Sequence, residues 1–240
     1  MGNNNEKKEQ QKRNAKTRAM FWALIIVGIS GTLFGLSATA GKKPDNPSNG
    51  TQQVFIDKIS AYDWVEGSRT ASVMLVEYSD FQCPACGAYY PIVKRVHEEY
   101  GDKLAIVYRN FPLTSIHKNA LRGAYAAESA GEQGKFWEMH NKLFEGQKEW
   151  SEAGDPQKFF DEYATALGLD SDRFKKDMDS ERVKDKVAAD AASAEKFEVN
   201  GTPTFFLNGK KLESPRNFDD FKTVIDEALG AEKLIEGPRK

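Results

Sequence analysis

A short apolar strand that leads into a Cys-x-x-Cys pair is the feature that most constrains this chain. Residues 73–78 read Val-Met-Leu-Val-Glu-Tyr, and such a run of β-branched and aromatic residues is typical of a central strand. Cys-Pro-Ala-Cys follows at 83–86, and Pro84 suits the first turn of a helix, where its missing N–H is not needed. The helix is predicted to end at Gly101, and a second apolar strand is predicted at 104–108. Strand, helix and strand at this spacing predict a βαβ unit with a right-handed crossover.

The rest of the chain predicts a block of helices followed by a hairpin. From 113 to 197 alanine, charged residues and helical spacing dominate, which indicates several short helices. A strand at 202–207 leads into Asn208-Gly209, a strong signal for a two-residue hairpin turn, and then into a return strand at 210–212. Apolar residues at helical spacing from 218 to 229 predict an amphipathic helix. The predicted fold class is therefore α/β.

The composition excludes several classes of protein. Two cysteines in 240 residues are too few for a disulfide-dense secreted scaffold or for a four-cysteine zinc site. The 34 Lys and Arg residues against 36 Asp and Glu residues give a net charge of −2. We therefore expect no nucleic-acid partner, because such binders normally carry a basic excess.

A basic segment followed by an uncharged apolar run begins the chain. Residues 1–18 hold six Lys or Arg and two Glu, and the 22 residues of 19–40 hold no charge. A helix of that length measures about 33 Å, enough to cross a hydrocarbon core of about 30 Å. We expect a signal-anchor helix with a cytoplasmic N-terminus, and a Pro- and Asn-containing linker at 41–53. The alternative is a signal peptide cleaved after Ala40, because Ala38-Thr39-Ala40 has the form of a cleavage site.

The pattern as a whole resembles the DsbA-like thiol-disulfide oxidoreductases, specifically their membrane-anchored members. The stretches that carry the resemblance, spread over about 60–225, are VEYSDFQCPAC, YRNFPL, GKFWEMHNKLFEGQ and NGTPTFFLNGK. The resemblance implies a thioredoxin fold at 54–232, with a helical insertion at about 113–197 and one transmembrane helix before it. Residues 233–240 are then a C-terminal tail.

Cys83 and Cys86 are the expected redox-active disulfide. We expect Cys83 at a helix N-terminus, where N–H groups and the helix dipole stabilise a thiolate, and we expect its side of the helix to be exposed. Cys86 lies one turn further in and should be buried, so that Cys83 attacks and Cys86 resolves the mixed disulfide. Pro84 and Ala85 form the active-site dipeptide between them.

Two further sites follow from the resemblance. Glu77 matches a buried acid of the family and is expected to transfer a proton at the buried sulfur, since a carboxylate on an apolar strand is costly without a role. A strand residue that faces solvent is the alternative for Glu77. Thr202-Pro203 matches the family's cis-proline loop, which faces the cysteines and pairs with the substrate chain like a strand. The alternative there is a trans proline before an edge strand.

Two positions depart from relatives of the family. Gln82 stands where thioredoxins carry Trp, which argues against a cytosolic thioredoxin. Ala85 stands where strongly oxidising members carry His, and the loss of an imidazole removes one stabiliser of the thiolate. We therefore expect a Cys83 pKa between about 3.5 and about 7, and a milder oxidant than those members.

No metal and no cofactor are expected. A metal bound by Cys83 and Cys86 would need two more ligands, from His97, His117 or His140. His97 and His140 lie on predicted helices and are expected to be surface or half-buried residues, and His117 is interpreted as structural. A purely structural Cys83–Cys86 disulfide is also disfavoured, because so small a loop constrains the unfolded chain little.

The predicted function is a membrane-tethered, extracytoplasmic thiol-disulfide oxidoreductase that introduces disulfides into exported proteins. Its expected partners are unfolded or reduced exported polypeptides and a membrane redox protein that recycles the cysteine pair. Two alternatives stay open. One is a reductase or isomerase that a membrane partner keeps reduced, and the other is a binding module or chaperone that keeps the fold without redox turnover.

Overall fold

A five-stranded mixed sheet lies at the centre of the computed structural model, which describes residues 58–213 and 215–236. The strands are β1 (Trp64–Glu66), β2 (Val73–Ser79), β3 (Leu104–Asn110), β4 (Thr204–Leu207) and β5 (Lys210–Lys211). Across the sheet the order is β1-β3-β2-β4-β5. Strands β2 and β3 run parallel, and the other neighbouring pairs run antiparallel.

Eight α-helices accompany this sheet within the described residues. They are α1 (Pro84–Tyr100), α2 (Ala120–Gly131), α3 (Phe136–Glu145), α4 (Gln147–Trp150), α5 (Gln157–Ala166), α6 (Ser171–Met178), α7 (Glu181–Lys196) and α8 (Phe218–Glu236). Helix α1 connects the parallel strands β2 and β3, which confirms the predicted βαβ unit. Helices α2 to α7 confirm the predicted helical insertion. Helix α8 continues seven residues past the predicted end at 229.

Strand β2 is buried along its whole length, as its apolar sequence predicts. Because side chains alternate along a strand, Val73, Leu75 and Glu77 share one face. Val73 and Leu75 pack with Val93 and Val96 of α1 in one buried cluster. The alternation therefore places Glu77 on the face of the sheet that α1 covers, the same helix that carries the two cysteines.

Strand β1 is an element that the sequence did not predict. It has only three residues and pairs antiparallel with β3. A buried ion pair fixes the preceding segment: Arg109 donates from Nε and Nη2 to the two carboxylate oxygens of Asp63, at 3.0 and 2.8 Å. Arg109 also donates to the hydroxyl of Tyr78 at 2.9 Å. A three-residue strand carries too short a pattern to be recognised, and its partners are distant in sequence.

The predicted hairpin is confirmed between β4 and β5. Asn208 and Gly209 both have positive φ, 46° and 80°, as a primed two-residue turn requires. The Asn208 side chain also accepts a hydrogen bond from the backbone N–H of Met74 at 2.8 Å, which ties the turn to β2.

The predicted basic tail, membrane segment and linker, at 1–18, 19–40 and 41–53, lie outside the described residues. Among the residues that are described, no helix is long and apolar enough to cross a membrane.

Candidate active site

Cys83 and Cys86 lie at the N-terminus of α1, as the sequence predicts. Cys83 is the N-cap residue with an extended backbone (φ −67°, ψ 121°), and Pro84 takes the first helical position. Both thiols are free, so the pair is in its reduced form. Cys86 is fully buried, as expected, but Cys83 is only 6% exposed, so the expectation of an exposed Cys83 is wrong. Its side chain joins a buried cluster with Phe81, whereas Pro84 faces solvent.

The surroundings of Cys83 favour its thiolate. Hydrogen bonding from the Cys86 thiol is the largest cause, and it opposes burial, which alone would raise the pKa of Cys83. The Thr202 side chain and the backbone N–H groups of Cys86 and Ala85 add to the effect. Together they lower the pKa of Cys83 from 9.0 to about 5, within the range expected from the sequence. A sulfur of this pKa is ionised at neutral pH and is a good leaving group.

The Thr202-Pro203 loop faces Cys83, and its peptide bond is cis, as predicted. The Cys83 thiol donates to the backbone carbonyl of Thr202 at 3.5 Å. The Thr202 hydroxyl is buried and has no hydrogen-bond partner among the described residues. It is therefore available to donate to the sulfur once Cys83 is ionised. Strand β4 begins only at Thr204, so the loop itself lies before the sheet.

Glu77 is buried beneath the cysteine pair, so the alternative of a solvent-facing strand residue is wrong. The side chain is 5% exposed, and burial raises its pKa to about 7. Hydrogen bonding from the nearby Ser79 hydroxyl lowers the pKa of Glu77 and offsets the effect of burial only partly. Burial also raises the pKa of Cys86, and the charges of Cys83 and Glu77 add to that rise. Both Cys86 and Glu77 thus favour their protonated forms.

A cavity of about 90 Å³ connects Glu77 with residues near the surface. It has room for several water molecules, since one water needs roughly 10–15 Å³ of such volume. Its ionisable lining residues are Glu66, Glu77, Tyr90, Lys94, His97, Glu98, Tyr108 and His140. The buried carboxyl therefore has a water-sized route along which a proton can be exchanged.

Asp80 organises the turn that precedes the cysteines. Its carboxylate accepts hydrogen bonds from the backbone N–H of Gln82 at 2.8 Å and of Leu113 at 2.9 Å, and its Oδ2 lies 2.6 Å from Nδ1 of His117. The Asp80 backbone carbonyl accepts the N–H of Cys83 at 3.0 Å. His117, interpreted from sequence as structural, is thus the partner of a fully buried carboxylate next to the active site.

Side-chain amides connect the same turn to the helical insertion. Gln82, where thioredoxins carry Trp, donates to the carbonyl of Ser151 at 2.8 Å and accepts the backbone N–H of Asn119 at 2.6 Å. Gln147 donates to the carbonyls of Phe81 at 2.7 Å and Cys83 at 2.9 Å. Sequence reasoning assigned no role to Gln147, although this residue ends the stretch GKFWEMHNKLFEGQ, because its partners lie more than 60 positions away.

The other two histidines have different surroundings. His97 is half-buried, as expected, with its Nε2 3.9 Å from the Glu66 carboxylate. His140 is only 8% exposed, so the expectation of a surface or half-buried residue is wrong. Its ring packs edge-on against Tyr108, with the ring centroids 4.9 Å apart. Burial lowers the pKa of His140 to about 4, so the ring is neutral at physiological pH.

Known sequences are similar to this chain over most of the described residues. Residues 60–227 match the thioredoxin family. The chain is 34% identical to the probable disulfide bond formation protein D of Bacillus cereus, over 68% of this chain and 77% of that protein. It is also 39% identical to the Na(+)/H(+) antiporter NhaA 3 of Salinispora tropica, over 74% of this chain. The match spans only 26% of the length of that antiporter.

Solved structures share the fold at low sequence identity. The chain aligns with alpha-DsbA1 of Wolbachia pipientis at a TM-score of 0.68 and 20% identity, over 75% of this chain and 97% of that structure. It aligns with oxidised BdbD of Bacillus subtilis at a TM-score of 0.66 and 23% identity, over 74% of this chain and 98% of that structure. These similarities establish a common fold that includes the helical insertion.

Proposed function

On the premise that the chain belongs to the thioredoxin family, and within it to the DsbA-like thiol-disulfide oxidoreductases, we propose that it introduces disulfides into exported proteins. The observation that carries the proposal is the state of the cysteine pair. Cys83 has a pKa lowered to about 5, whereas burial raises the pKa of Cys86. A stabilised thiolate favours the reduced form of the pair and therefore makes its disulfide an oxidant.

The exchange proceeds in two steps in which bonds and electrons balance. A substrate thiolate attacks Sγ of Cys83 in the oxidised pair, the Cys83–Cys86 bond breaks, and Cys86 leaves as a thiolate. A second substrate thiolate then attacks the substrate sulfur of the mixed disulfide and releases the Cys83 thiolate. The substrate loses two electrons and gains a disulfide, and the protein ends with the two free thiols that the structure contains.

Glu77 supplies the proton in the first of these steps. Burial raises the pKa of Cys86, so a bare thiolate at this position is unfavourable. Glu77 has a pKa raised to about 7 and holds a proton for a substantial part of the time at neutral pH. It gives that proton to the leaving Cys86 sulfur and regains one through the cavity that it lines.

The proposed setting is the outer side of a cell membrane. The uncharged residues 19–40 anchor the chain, the basic residues 1–18 stay in the cytoplasm, and a membrane redox protein reoxidises the pair. In alkaline extraction the full chain should stay with the membrane fraction, and its mass should include residues 1–40. A product that lacks the first 40 residues would instead mean cleavage after Ala40.

Trapping of mixed disulfides tests the redox function. In a Cys86→Ala variant, Cys83 cannot be resolved, so substrates should accumulate as adducts that a reducing agent releases. The matched control is the Cys83→Ala, Cys86→Ala double variant, which should trap nothing. If the single variant also forms no adducts with exported proteins, the redox proposal fails and a non-redox binding module is favoured.

Equilibration of the cysteine pair with glutathione tests the direction. We expect a reduction potential on the oxidising side of the thioredoxin value of about −270 mV but less oxidising than the DsbA value of about −120 mV. A potential at or below the thioredoxin value would contradict the oxidase proposal and favour a reductase that its partner keeps reduced.

A further inference from the structure

Gln147 contacts the active-site turn from the helical insertion. It is the first residue of α4, and its side-chain nitrogen donates to the carbonyls of Phe81 at 2.7 Å and Cys83 at 2.9 Å. A primary amide has two N–H donors, so both are used on the backbone of this turn. The opposite orientation of the amide would place its oxygen against two carbonyl oxygens and is excluded by their repulsion.

The Cys83 carbonyl is held from two sides. It accepts the N–H of Gly87, the first hydrogen bond of α1, at 3.1 Å, in addition to the bond from Gln147. A carbonyl oxygen has two lone pairs, and both are therefore engaged. Gln147 thus restrains the N-cap residue whose sulfur must stay beside Thr202 and the first N–H groups of α1.

Gly87 makes room for this amide. A Cβ atom at position 87 would overlap Oε1 of Gln147 and would lie 3.0 Å from its Cδ and 3.1 Å from its Nε2. The backbone does not require glycine there, because residue 87 lies inside α1 and its φ is not positive. Alanine normally stabilises a helix relative to glycine. The space that the Gln147 amide occupies therefore accounts for a glycine at this position.

We propose that Gln147 is a positioning residue for thiol-disulfide exchange at Cys83, and that Gly87 is required to seat it. This inference rests on the proposed function, because it concerns the same cysteine pair. Without the amide, the Cys83 carbonyl keeps only its bond to Gly87 of α1, and the Cys83 sulfur loses its fixed alignment with the donors that stabilise the thiolate. The insertion then acts on the redox chemistry through one side chain.

A double-mutant cycle on the full chain tests the proposal. Gln147→Ala removes the amide, and Gly87→Ala leaves it in the chain but displaces it from the two carbonyls. Titration of the thiolate by absorbance at 240 nm should give a Cys83 pKa higher by about half a unit to one unit in each variant. The double variant should show the same rise as either single variant, because the contact can be lost only once.

Gln133 provides a matched control. It is also an amide of the insertion that makes two backbone hydrogen bonds, donating to the carbonyl of Asp170 at 3.2 Å and accepting its N–H at 2.9 Å. Gln133→Ala should leave the Cys83 pKa unchanged. The proposal is overturned if Gln147→Ala does not raise that pKa, if Gln133→Ala raises it equally, or if the effects of the Gly87 and Gln147 substitutions add.

The glutathione equilibrium of the same variants separates this inference from the proposed function. The equilibrium constant for reduction of the Cys83–Cys86 disulfide by glutathione should fall roughly three- to tenfold in the Gln147 and Gly87 variants, in proportion to the rise in the Cys83 pKa. A parent protein whose cysteines do not exchange with glutathione would refute the proposed function. An active parent with unchanged variants would refute the role of Gln147 alone.

Discussion

Substitution of Glu77 by glutamine measures how much the ionisation of this buried carboxyl destabilises the folded state. The carboxyl lies in β2 on the face that α1 covers and is 5% exposed. Burial raises its pKa from 4.5 to about 7. Glutamine has nearly the same shape and stays neutral at every pH, so Glu77→Gln removes the ionisation and leaves the packing largely unchanged.

The magnitude follows from the two pKa values of Glu77. The folded and unfolded values differ by about 2.5, and a difference of one corresponds to about 1.4 kcal/mol, so the full effect is about 3.5 kcal/mol. The folded state holds the proton more tightly than the unfolded state. Its contribution to stability is therefore complete below pH 4.5, falls as the pH rises to about 7, and stays lost above that value.

Urea unfolding of the reduced full chain from pH 5 to pH 8 measures this effect. Relative to the parent, the Glu77→Gln variant should gain about 2.5 kcal/mol in free energy of unfolding over that range, because part of the loss has already occurred at pH 5. The cysteine thiols titrate in both proteins, so their contributions largely cancel in the difference. A difference that stays constant with pH would refute the assignment of Glu77 as a strained buried acid.

Glu128 offers a matched control for the role of Glu77 in exchange. It is also buried, its pKa is also raised to about 7, and it accepts hydrogen bonds from Trp64 and Asn110. Glu128→Gln should thus show a similar pH-dependent gain in stability. Only Glu77→Gln should slow formation of the mixed disulfide, since of the two acids only Glu77 influences the pKa of Cys86.

Three further substitutions test other parts of the structure. Cys86→Ala removes the largest cause of the low Cys83 pKa, so the thiolate absorbance at 240 nm should titrate at least one unit higher than in the parent. His140→Phe removes a buried imidazole with a pKa of about 4. The parent loses stability as the pH falls from about 6.5 to 4, because the unfolded imidazole binds a proton before the buried one does. In urea unfolding, the free energy of unfolding should therefore fall less between pH 7 and pH 4.5 in the variant than in the parent. Asp63→Ala leaves the Arg109 guanidinium buried without its partner, so urea unfolding at pH 7 should give a loss of about 3–5 kcal/mol, and a loss below 1 kcal/mol would contradict a buried pair.

The elements that the sequence predicted well are those with local causes. The run of β2 is short and rich in β-branched and aromatic residues without polar alternation, which favours a strand with both faces covered. Pro84 marked the first turn of α1, and Asn208-Gly209 marked a turn with positive φ at both residues. In each case the information lies within a few residues, where side-chain size and backbone preference act directly.

The geometry around Cys83 depended on contacts that are distant in sequence. The expected exposure of Cys83 was argued only from its place at the start of α1. In the structure its sulfur contacts the carbonyl of Thr202, which lies 119 positions away in the sequence. Gln147 reaches the turn from 64 positions away, and Asp80 bonds His117 from 37. Such contacts depend on how the insertion packs against the sheet, which periodicity along one segment does not encode.

Glu77 and His140 line the same cavity. Their contributions to the stability of the folded state change with pH in opposite directions. Burial raises the pKa of Glu77 to about 7 and lowers that of His140 to about 4. The folded state therefore favours the neutral form of both side chains. Between about pH 4.5 and 6.5 the folded state loses stability from Glu77 and gains it from His140 as the pH rises. The two slopes have similar magnitude and largely cancel. Within that window the buried Glu77 carboxyl therefore adds little net pH dependence to the stability of the fold, and each single substitution should tilt the stability profile in the opposite direction.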